Sequence, residues 1–371
     1  LALETSCDET ACAIVEDGWK VHANVIASSL NLHQITGGVV PEVAARAQIE
    51  SIIPVIQLAW GVAYGDPVGT GRDLSLPSMV QSIDAIAVTS EPGLVTSLLV
   101  GTETAKWLGY LWNKPVISVN HIRGHVYANW LERDPKDDPI QFPVLSLSVS
   151  GGHNELILLK SHQEWEVVGE SQDDAAGEAF DKVARILDLG YPGGPVIEEH
   201  AKKFSAVIPS LSKESESDSR KGTVDERLPH PRQARVRNDS ALRFPRAWLN
   251  QNDSNKWDST SFDFSFSGLK SEVLRDVQRR GILSDIDRSE IAYAFQDAVC
   301  DVLVTKLIGA AKKHSAKEIH LAGGVSANKF LRMRVEEHSK TLGVKVRWPE
   351  KMVYCTDNAA MIAAAGYFQQ P

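Results

Sequence analysis

Long apolar runs and a cysteine framework are both absent from this chain of 371 residues. No stretch reaches the length of about 18 apolar residues that a membrane-spanning helix requires, so we expect no membrane partner. The four cysteines form no CxxC motif, which favours a reducing compartment over secretion and argues against a structural disulfide. The sequence opens inside a strand-like run, LALETSCDETACAIVED, so we expect the native start and any targeting segment to lie upstream.

An excess of positive charge is also lacking. The formal net charge of −9 argues against a protein that coats nucleic acid by bulk electrostatics. A local patch stays open, because residues 205–257 form a polar, charged insertion with a run of arginines: Arg227, Arg232, Arg235, Arg237, Arg243 and Arg246. This run has two readings, a solvated loop or a contact with nucleic acid.

The two commonest nucleotide-binding motifs, GxxxxGK[ST] and GxGxxG, do not occur. Instead, the sequence repeats a plan of strand, polar turn and strand, first in residues 1–17 and again in residues 144–160. Each half also contains a strand, a glycine turn, a helix and a strand, from Ile83 to His121 and from Glu318 to Glu350. The repetition predicts duplication of one α/β domain.

The duplication predicts a domain boundary near residue 140. Residues 1–140 form the first predicted domain, and residues 141–371 form the second, with the insertion at about 205–257. Two facing α/β domains are expected to enclose a cleft lined by glycine turns at the ends of strands. Backbone N–H groups in such turns can approach a phosphate closely.

The segment NHIRGH places His121 and His125 four residues apart after an apolar run. If the segment is helical, both imidazoles lie on one face and can bind one metal ion. A catalytic metal site normally has a third protein ligand. The best candidate is Asp357, which precedes an alanine-rich helix, and two roles for it stay open: metal ligand or cap of that helix.

Ten ordered motifs together resemble one known family. They are ETSCDET, HQITGGVVPEVAARAQ, PGLVTSLLVG, NHIRGH, SVSGGH, DDAAGEAFDK, YPGGP, FSFSGLK, AGGVSAN and CTDN. The chain resembles the tRNA adenosine threonylcarbamoyltransferases, once described as O-sialoglycoprotein endopeptidases. AGEAFDK and SGGH are similar to the bacterial and organellar branch of that family.

The resemblance implies an actin-like, Hsp70-like fold of two duplicated ribonuclease-H-like domains with a cleft between them. It also implies one divalent metal ion per subunit, iron or zinc, held by His121, His125 and Asp357. Ile122 follows the first histidine where HExxH zinc peptidases have glutamate, so peptidase chemistry is not favoured.

The resemblance further implies a binding site for an adenylate. Its residues here are the glycine turn Ser148, Val149, Ser150, Gly151 and Gly152, together with Asp181, Gly194, Glu198 and Asn328. Small residues let the backbone approach phosphate, and a carboxylate accepts from ribose hydroxyls. For Asp181 the alternative is a helix carboxylate that pairs with Lys182 or Arg185.

The family reaction transfers the threonylcarbamoyl group of threonylcarbamoyl-AMP to the exocyclic amine of the adenosine 3′ of the anticodon in ANN-decoding tRNAs. The adenine amine is weakly nucleophilic, so a nearby base would help. Asp8 and Glu9 in the first turn are the candidates for that base or for positioning tRNA, and their alternative is turn chemistry alone.

The implied partners are tRNA and a separate synthase that supplies threonylcarbamoyl-AMP. A homodimer is one assembly that the resemblance suggests, with the apolar segments Ile49–Trp60 and Ser97–Trp112 as its surface. The organellar likeness predicts the mitochondrial matrix, with the cytoplasm as the alternative.

Three positions depart from the family pattern. Glu91 stands where glycine is usual, Gln48 stands where histidine is usual, and Ser148 aligns with a tyrosine of the archaeal branch. Two rival functions also stay open: an actin-like small-molecule kinase or ATPase, and a non-catalytic nucleotide-binding scaffold. Neither rival needs the two histidines and Asp357.

Overall fold

A computed structural model describes residues 1–29, 31–32, 39–65, 80–218, 242–247 and 261–370, with the backbone alone for residues 206–218. The chain divides into two compact units. The first unit comprises Leu1–Glu170 and Leu307–Pro371, and the second comprises Ser171–Lys306. The domain boundary near residue 140 stays a prediction.

Two five-stranded sheets lie in the first unit. The first sheet has the order β3-β2-β1-β4-β5. Its strands are β1 Ala2–Glu4, β2 Glu9–Glu16, β3 Lys20–Ser28, β4 Ile86–Glu91 and β5 Val116–Asn120. Strands β1 to β3 pair antiparallel, whereas β4 lies parallel to both β1 and β5.

The second sheet repeats this arrangement in the order β10-β9-β6-β7-β8. Its strands are β6 Val144–Val149, β7 Asn154–Leu159, β8 Trp165–Glu170, β9 Glu318–Ala322 and β10 Lys345–Arg347. Strands β6 to β8 pair antiparallel, and β9 lies parallel to β6 and β10. Strands β6 to β10 therefore match β1 to β5 in order and direction, which confirms the predicted duplication. The sequence reading found the first hairpin of each half but not the third strands, β3 and β8.

Helices connect and cover the strands. They are α1 Pro41–Tyr64, α2 Val95–Trp112, α3 His121–Tyr127, α4 Ala176–Ile186, α5 Gly193–Asp218, α6 Ser267–Arg280, α7 Asp285–Lys313, α8 Lys329–Lys340 and α9 Ala359–Gln369. Pro41 starts α1, where its fixed φ suits the first turn, and Gly65 ends it in the left-handed conformation. Helix α8 fills the place between β9 and β10 that α2 fills between β4 and β5.

Helix α9 lies close to the first sheet because small side chains meet on both surfaces. Its alanines belong to the same core cluster as Ala2, Ala11, Ala13 and Ala87 of the strands. A Cβ added to Gly366 would stand 2.9 Å from the Cβ of Ala87. Alanine and glycine thus allow α9 to approach the first sheet closely.

The second unit contains α4, α5, α6 and most of α7. Helix α5 extends to Asp218, so the predicted insertion begins as helix rather than loop. Of the arginine run, Arg227, Arg232, Arg235 and Arg237 lie outside the described residues. Arg246 forms ion pairs with Asp297 at 2.5 Å and with Asp301 at 2.8 Å, so its charge is balanced by carboxylates of the second unit. Among the described helices, none has the length and apolar character to cross a membrane.

Candidate active site

Helix α3 holds the two histidines of NHIRGH on one face. The side chain of Asn120 accepts a hydrogen bond from Arg123 N at 3.1 Å and so starts the helix directly after β5. The rings of His121 and His125 lie one turn apart, with centroids separated by 4.6 Å. Both side chains are buried.

Asp357 faces these rings from the start of α9. Its Oδ1 atom lies 3.5 Å from Nε2 of His121 and 3.3 Å from Nε2 of His125. The cap of α9 is the neighbouring Asn358, whose side chain accepts from Met361 N at 3.0 Å. Of the two roles left open for Asp357, the helix cap therefore belongs to another residue.

The three side chains suit a metal ion. One ligand atom from each lies within 4.8 Å of the others, and two imidazoles with one carboxylate are a donor set for zinc or iron with an open position. Both ring nitrogens of His125 are buried: Nδ1 has no hydrogen-bond partner among the described residues, and Nε2 meets Oδ1 of Asp357 at 3.3 Å without a well-formed hydrogen bond. A buried imidazole without a partner is costly, and a metal ion at Nε2 would relieve part of that cost.

Glu4 contacts His121 at Nδ1, the ring nitrogen that does not face Asp357. Its Oε2 atom lies 3.2 Å from Nδ1 of His121, and its Oε1 atom accepts from Ser6 N at 2.6 Å. A metal-binding histidine commonly donates its other N–H to a carboxylate in this way. Sequence reasoning did not single out Glu4; its signal is a carboxylate in the otherwise apolar strand LALE.

The charges of neighbouring groups shift the pKa values of His121 and Asp357. Burial disfavours a charged His121, but the carboxylates of Asp357 and Glu4 outweigh burial and raise its pKa well above the usual value. Burial likewise disfavours a charged Asp357, but the two histidines outweigh it and hold its pKa well below the usual range. The site thus holds a carboxylate that a cation can bind, and a proton on His121 that the cation must displace.

Asp8 lies in the turn between β1 and β2, and Glu9 is the first residue of β2. Glu9 Oε1 accepts from Ser28 Oγ at 2.8 Å, whereas its buried Oε2 has no hydrogen-bond partner among the described residues. Burial raises the pKa of Glu9 to about 7, and the charges of Asp8 and Asp357 add to the effect. A carboxyl that titrates near neutrality suits a general base.

The glycine turn between β6 and β7 is open. Ser150 N donates to His153 O at 2.9 Å, and a Cβ added to Gly151 or Gly152 would meet nothing within 4 Å. Ser148 and Val149 end β6 beside it, and Ser148 Oγ is buried without a partner among the described residues. Backbone there is accessible to a ligand.

A second glycine turn packs against the first. A Cβ added to Gly323, at the end of β9, would stand 2.5 Å from Val149 O. Asn328 follows this turn and caps α8, since its Oδ1 accepts from Leu331 N at 2.9 Å. The turn that follows β9 and leads to Asn328 therefore lies beside the turn that follows the neighbouring strand β6.

The remaining predicted adenylate residues lie in the second unit. Asp181 Oδ1 accepts from Gly193 N at 2.6 Å, so it caps the first turn of α5. Burial raises the pKa of Asp181. Lys182 pairs instead with Asp174 at 2.9 Å. Gly194 and Glu198 stand in the first turns of α5, and their part in binding stays a prediction.

Comparison with known proteins identifies the family. The family model described as TsaD: tRNA N6-adenosine threonylcarbamoyltransferase matches residues 20–219 and 222–364. A protein of that name from Moorella thermoacetica is 42% identical over 100% of this chain and 91% of its own length. One from Bacillus subtilis is 43% identical over 99% of this chain and 89% of its own length. The chain belongs to the tRNA N6-adenosine threonylcarbamoyltransferase family.

A solved structure agrees on the fold of this threonylcarbamoyltransferase family member. Full-length HypF in its phosphate- and nucleotide-bound form has a TM-score of 0.51 at 14% identity, over 99% of this chain and 54% of that chain. At this identity the likeness concerns the fold alone. With the two matching sheets, it confirms the predicted actin-like α/β class.

One prediction about location is wrong. The relatives from Moorella, Bacillus and Staphylococcus are bacterial, and bacteria have no mitochondrial matrix. AGEAFDK and SGGH are similar to bacterial and organellar members alike, so these motifs did not distinguish a bacterial from an organellar origin. The relatives favour the bacterial cytoplasm, which was the alternative.

Proposed function

We propose that this chain transfers the threonylcarbamoyl group of threonylcarbamoyl-AMP to N6 of the adenosine 3′ of the anticodon in ANN-decoding tRNAs. The observation that carries the proposal is the cluster of the buried His121 and His125 with the half-buried Asp357 in a chain of this family. The amine forms a bond to the carbamoyl carbon, the bond from that carbon to the phosphate oxygen breaks, and AMP leaves. The amine loses one proton.

The two histidines and Asp357 would hold one divalent ion, iron or zinc. Such an ion supplies Lewis-acid polarisation of a carbonyl oxygen and orients the group that it binds. Glu4 would keep the proton of His121 on Nδ1 and leave Nε2 free for the ion. These roles draw support from the donor set and from the buried ring of His125, whose nitrogens make no well-formed hydrogen bond among the described residues.

Glu9 is our candidate for the base that takes the proton of the adenine amine. Its Oε2 is unpartnered among the described residues, and its pKa of about 7 lets it accept a proton at neutral pH. Asp8 adds negative charge beside it, which favours proton uptake. Asp8 would also help to position the tRNA.

Binding of the adenylate would use both glycine-rich and acidic groups. The turn Ser148, Val149, Ser150, Gly151 and Gly152 would receive the phosphate through the backbone N–H groups of its two glycines, since Ser150 N already donates to His153 O. These donors would stabilise AMP as a leaving group. Asp181, Gly194 and Glu198 would receive the ribose, and Asn328 would contact the base. A separate synthase would supply threonylcarbamoyl-AMP, and a homodimer would be the assembly.

The test is formation of threonylcarbamoyladenosine. Purified protein, threonylcarbamoyl-AMP and unmodified ANN-decoding tRNA are incubated, and the digested nucleosides are analysed by mass spectrometry. The same nucleoside is measured in a bacterial host depleted of its own family member and expressing this chain, so that any helper protein is present. We expect product from the wild type and none from His125→Gln.

His22→Gln is the matched control, because His22 is a partly exposed histidine on β3 that pairs with Glu16. A folded wild type that restores no nucleoside in the host would refute the transferase. Turnover of ATP without tRNA would favour the kinase or ATPase, and tight adenylate binding without product would favour the scaffold.

A further inference from the structure

Gln48 is a polar residue on the core side of α1. It stands in the second turn of α1, and its side chain is completely buried against the first hairpin turn. A buried amide must place its polar atoms, or the chain bears the cost of leaving them unpaired. The contacts of Gln48 therefore show what this position does.

One nitrogen of Gln48 meets three backbone carbonyls. Nε2 lies 3.3 Å from Thr5 O, 3.0 Å from Cys7 O and 3.0 Å from Glu9 O. Carbonyl oxygens only accept, so the donor end of the amide must face them. Oε1 has no hydrogen-bond partner among the described residues.

These contacts show how strongly the turn is curved. Two carbonyls that share one nitrogen at these distances are about 6 Å apart at most. In an extended strand, residues four positions apart are separated by about 13 Å. The segment Thr5–Glu9 therefore curls around the amide of Gln48 instead of continuing straight.

A second segment holds the other side of the turn. Leu94 N donates to Ser6 O at 2.8 Å, and Thr5 Oγ1 donates to Ser97 O at 2.9 Å. These bonds hold Thr5 and Ser6, at the beginning of the turn. Further along, Ser29 Oγ donates to Asp8 O at 2.7 Å and Ser97 Oγ to Cys7 O at 3.3 Å. Gln48 Nε2 donates to the carbonyl of Glu9, at the end of the turn, and joins it to the carbonyls of Thr5 and Cys7.

We propose that Gln48 is a positioning residue, which sets the backbone path that aims Asp8 and Glu9 at the reacting groups. The inference rests on the proposed function. A neutral amide keeps its donors at every pH, so the turn has the same support whether Glu9 is protonated or not. Gln48 acts through Glu9 and touches no substrate.

The test is a double-mutant cycle of Gln48→Met and Glu9→Gln. Methionine matches glutamine in length but has no donor. We expect Gln48→Met to lower the single-turnover rate at saturating threonylcarbamoyl-AMP about 100-fold, the scale for a reacting group misplaced by about 1 Å. In the Glu9→Gln background the same change is expected to have an effect of less than about threefold, because its target is gone.

Two further variants separate positioning from folding. Gln48→His keeps one ring N–H in reach of the carbonyls, so we expect it to recover at least about tenfold of the rate lost in Gln48→Met. Gln57→Met is the matched control, since Gln57 is an exposed glutamine of the same helix. Metal content and threonylcarbamoyl-AMP affinity are measured for each variant, and both should equal those of the wild type.

The outcomes are distinct. A wild-type rate for Gln48→Met would overturn the inference alone. Equal losses in the presence and absence of Glu9, or loss of bound metal from both Gln48→Met and Gln48→His, would also overturn it, because Gln48 would then serve the fold in general. A folded wild type that forms no product in the host, where any helper protein is present, would refute the proposed function, and with it this inference.

Discussion

At the scale of single residues, Glu4 and His121 form a buried pair that decides which ring nitrogen is available. Glu4 accepts from Ser6 N and from the hydroxyl of Thr89, and it faces Nδ1 of His121. A carboxylate placed there favours the tautomer with the proton on Nδ1. Nε2 faces Asp357, and its lone pair becomes available to a cation that displaces the second proton of the ring.

We predict that Glu4→Gln lowers metal affinity about 10- to 100-fold, the usual cost of losing a supporting carboxylate. The amide is neutral and no longer favours one tautomer. Competition with a chelator of known affinity measures the change. Glu16→Gln serves as control, because Glu16 is exposed and pairs with Lys20 on the surface; equal affinities for wild type and Glu4→Gln would contradict the role of Glu4.

Glu9 gives a prediction about pH and rate. Its pKa is raised to about 7, and a base must be deprotonated to act. The single-turnover rate should therefore rise with pH through about 7 and level off above it. Glu9→Gln should be at least about 100-fold slower and lack this rise. A variant that keeps the wild-type pH profile would assign the titration to another group.

The same carboxyl gives a prediction about stability with the opposite sign. Burial raises its pKa from 4.5 in the unfolded chain to about 7 in the folded chain, so the folded chain holds the proton more tightly. The resulting loss of stability is absent below about pH 4.5 and complete above about pH 7. After discounting for partial exposure, Glu9→Gln should gain about 1–2 kcal/mol at pH 8 and almost nothing at pH 5.

Urea unfolding at pH 5 and pH 8 measures this difference. Glu50→Gln, an exposed glutamate on α1, is the control and should show no change at either pH. A Glu9→Gln variant that is less stable than the wild type at pH 8 would contradict a buried, destabilising carboxylate.

At the scale of elements, the contact between two glycine turns joins β9 to β6. Gly323 has a φ of +79°, and an added Cβ would meet Val149 O at 2.5 Å. Any side chain there needs both an unfavourable backbone conformation and a shift of the turn that follows β6. Only glycine therefore fits at position 323 without distortion of the backbone.

We predict that Gly323→Ala destabilises the protein by about 2–4 kcal/mol and weakens threonylcarbamoyl-AMP binding, since backbone strain and overpacking add. Gly343→Ala is the matched control. Gly343 also has a positive φ, +65°, but an added Cβ would meet nothing within 4 Å, so it tests the backbone cost alone. Equal effects of the two variants, seen in thermal unfolding and isothermal titration, would argue against the close contact.

At the scale of the whole molecule, helix α2 exposes large apolar side chains within the part of the chain that the structure describes. Ile52, Val55 and Ile56 of α1 face the core, whereas Trp107, Tyr110 and Leu111 of α2 are 64–79% exposed. Exposed aromatic residues of this size are typical of interfaces. They lie in the segment predicted to form the homodimer.

We predict that the wild type is a dimer by light scattering and that the double variant Trp107→Glu, Tyr110→Glu is a monomer. Two charges in an apolar interface lose their hydration, which opposes association. Met333→Glu, an exposed apolar residue on α8, is the control and should remain dimeric. A monomeric wild type at micromolar concentration would contradict the predicted homodimer.

Apolar periodicity and turn residues in the sequence were sufficient to predict the secondary-structure elements near the site. Alternating or continuous apolar runs on either side of Ser6–Thr10 and of Ser150–His153 predicted the two hairpins, and the spacing of His121 and His125 predicted one helix face. These features depend on neighbours within a few residues, so local sequence carries them. The motifs also indicated the family, but they did not separate a bacterial from an organellar origin.

Tertiary structure decided the contacts between distant positions. That Asn358 and not Asp357 caps α9, that Glu4 supports His121, and that one amide of Gln48 gathers three carbonyls were not read from any local pattern. Backbone acceptors have no signature in a sequence, because every residue carries one. The sequence thus determined which groups are available for chemistry, and packing between segments far apart in the chain decided which of their atoms face the same point.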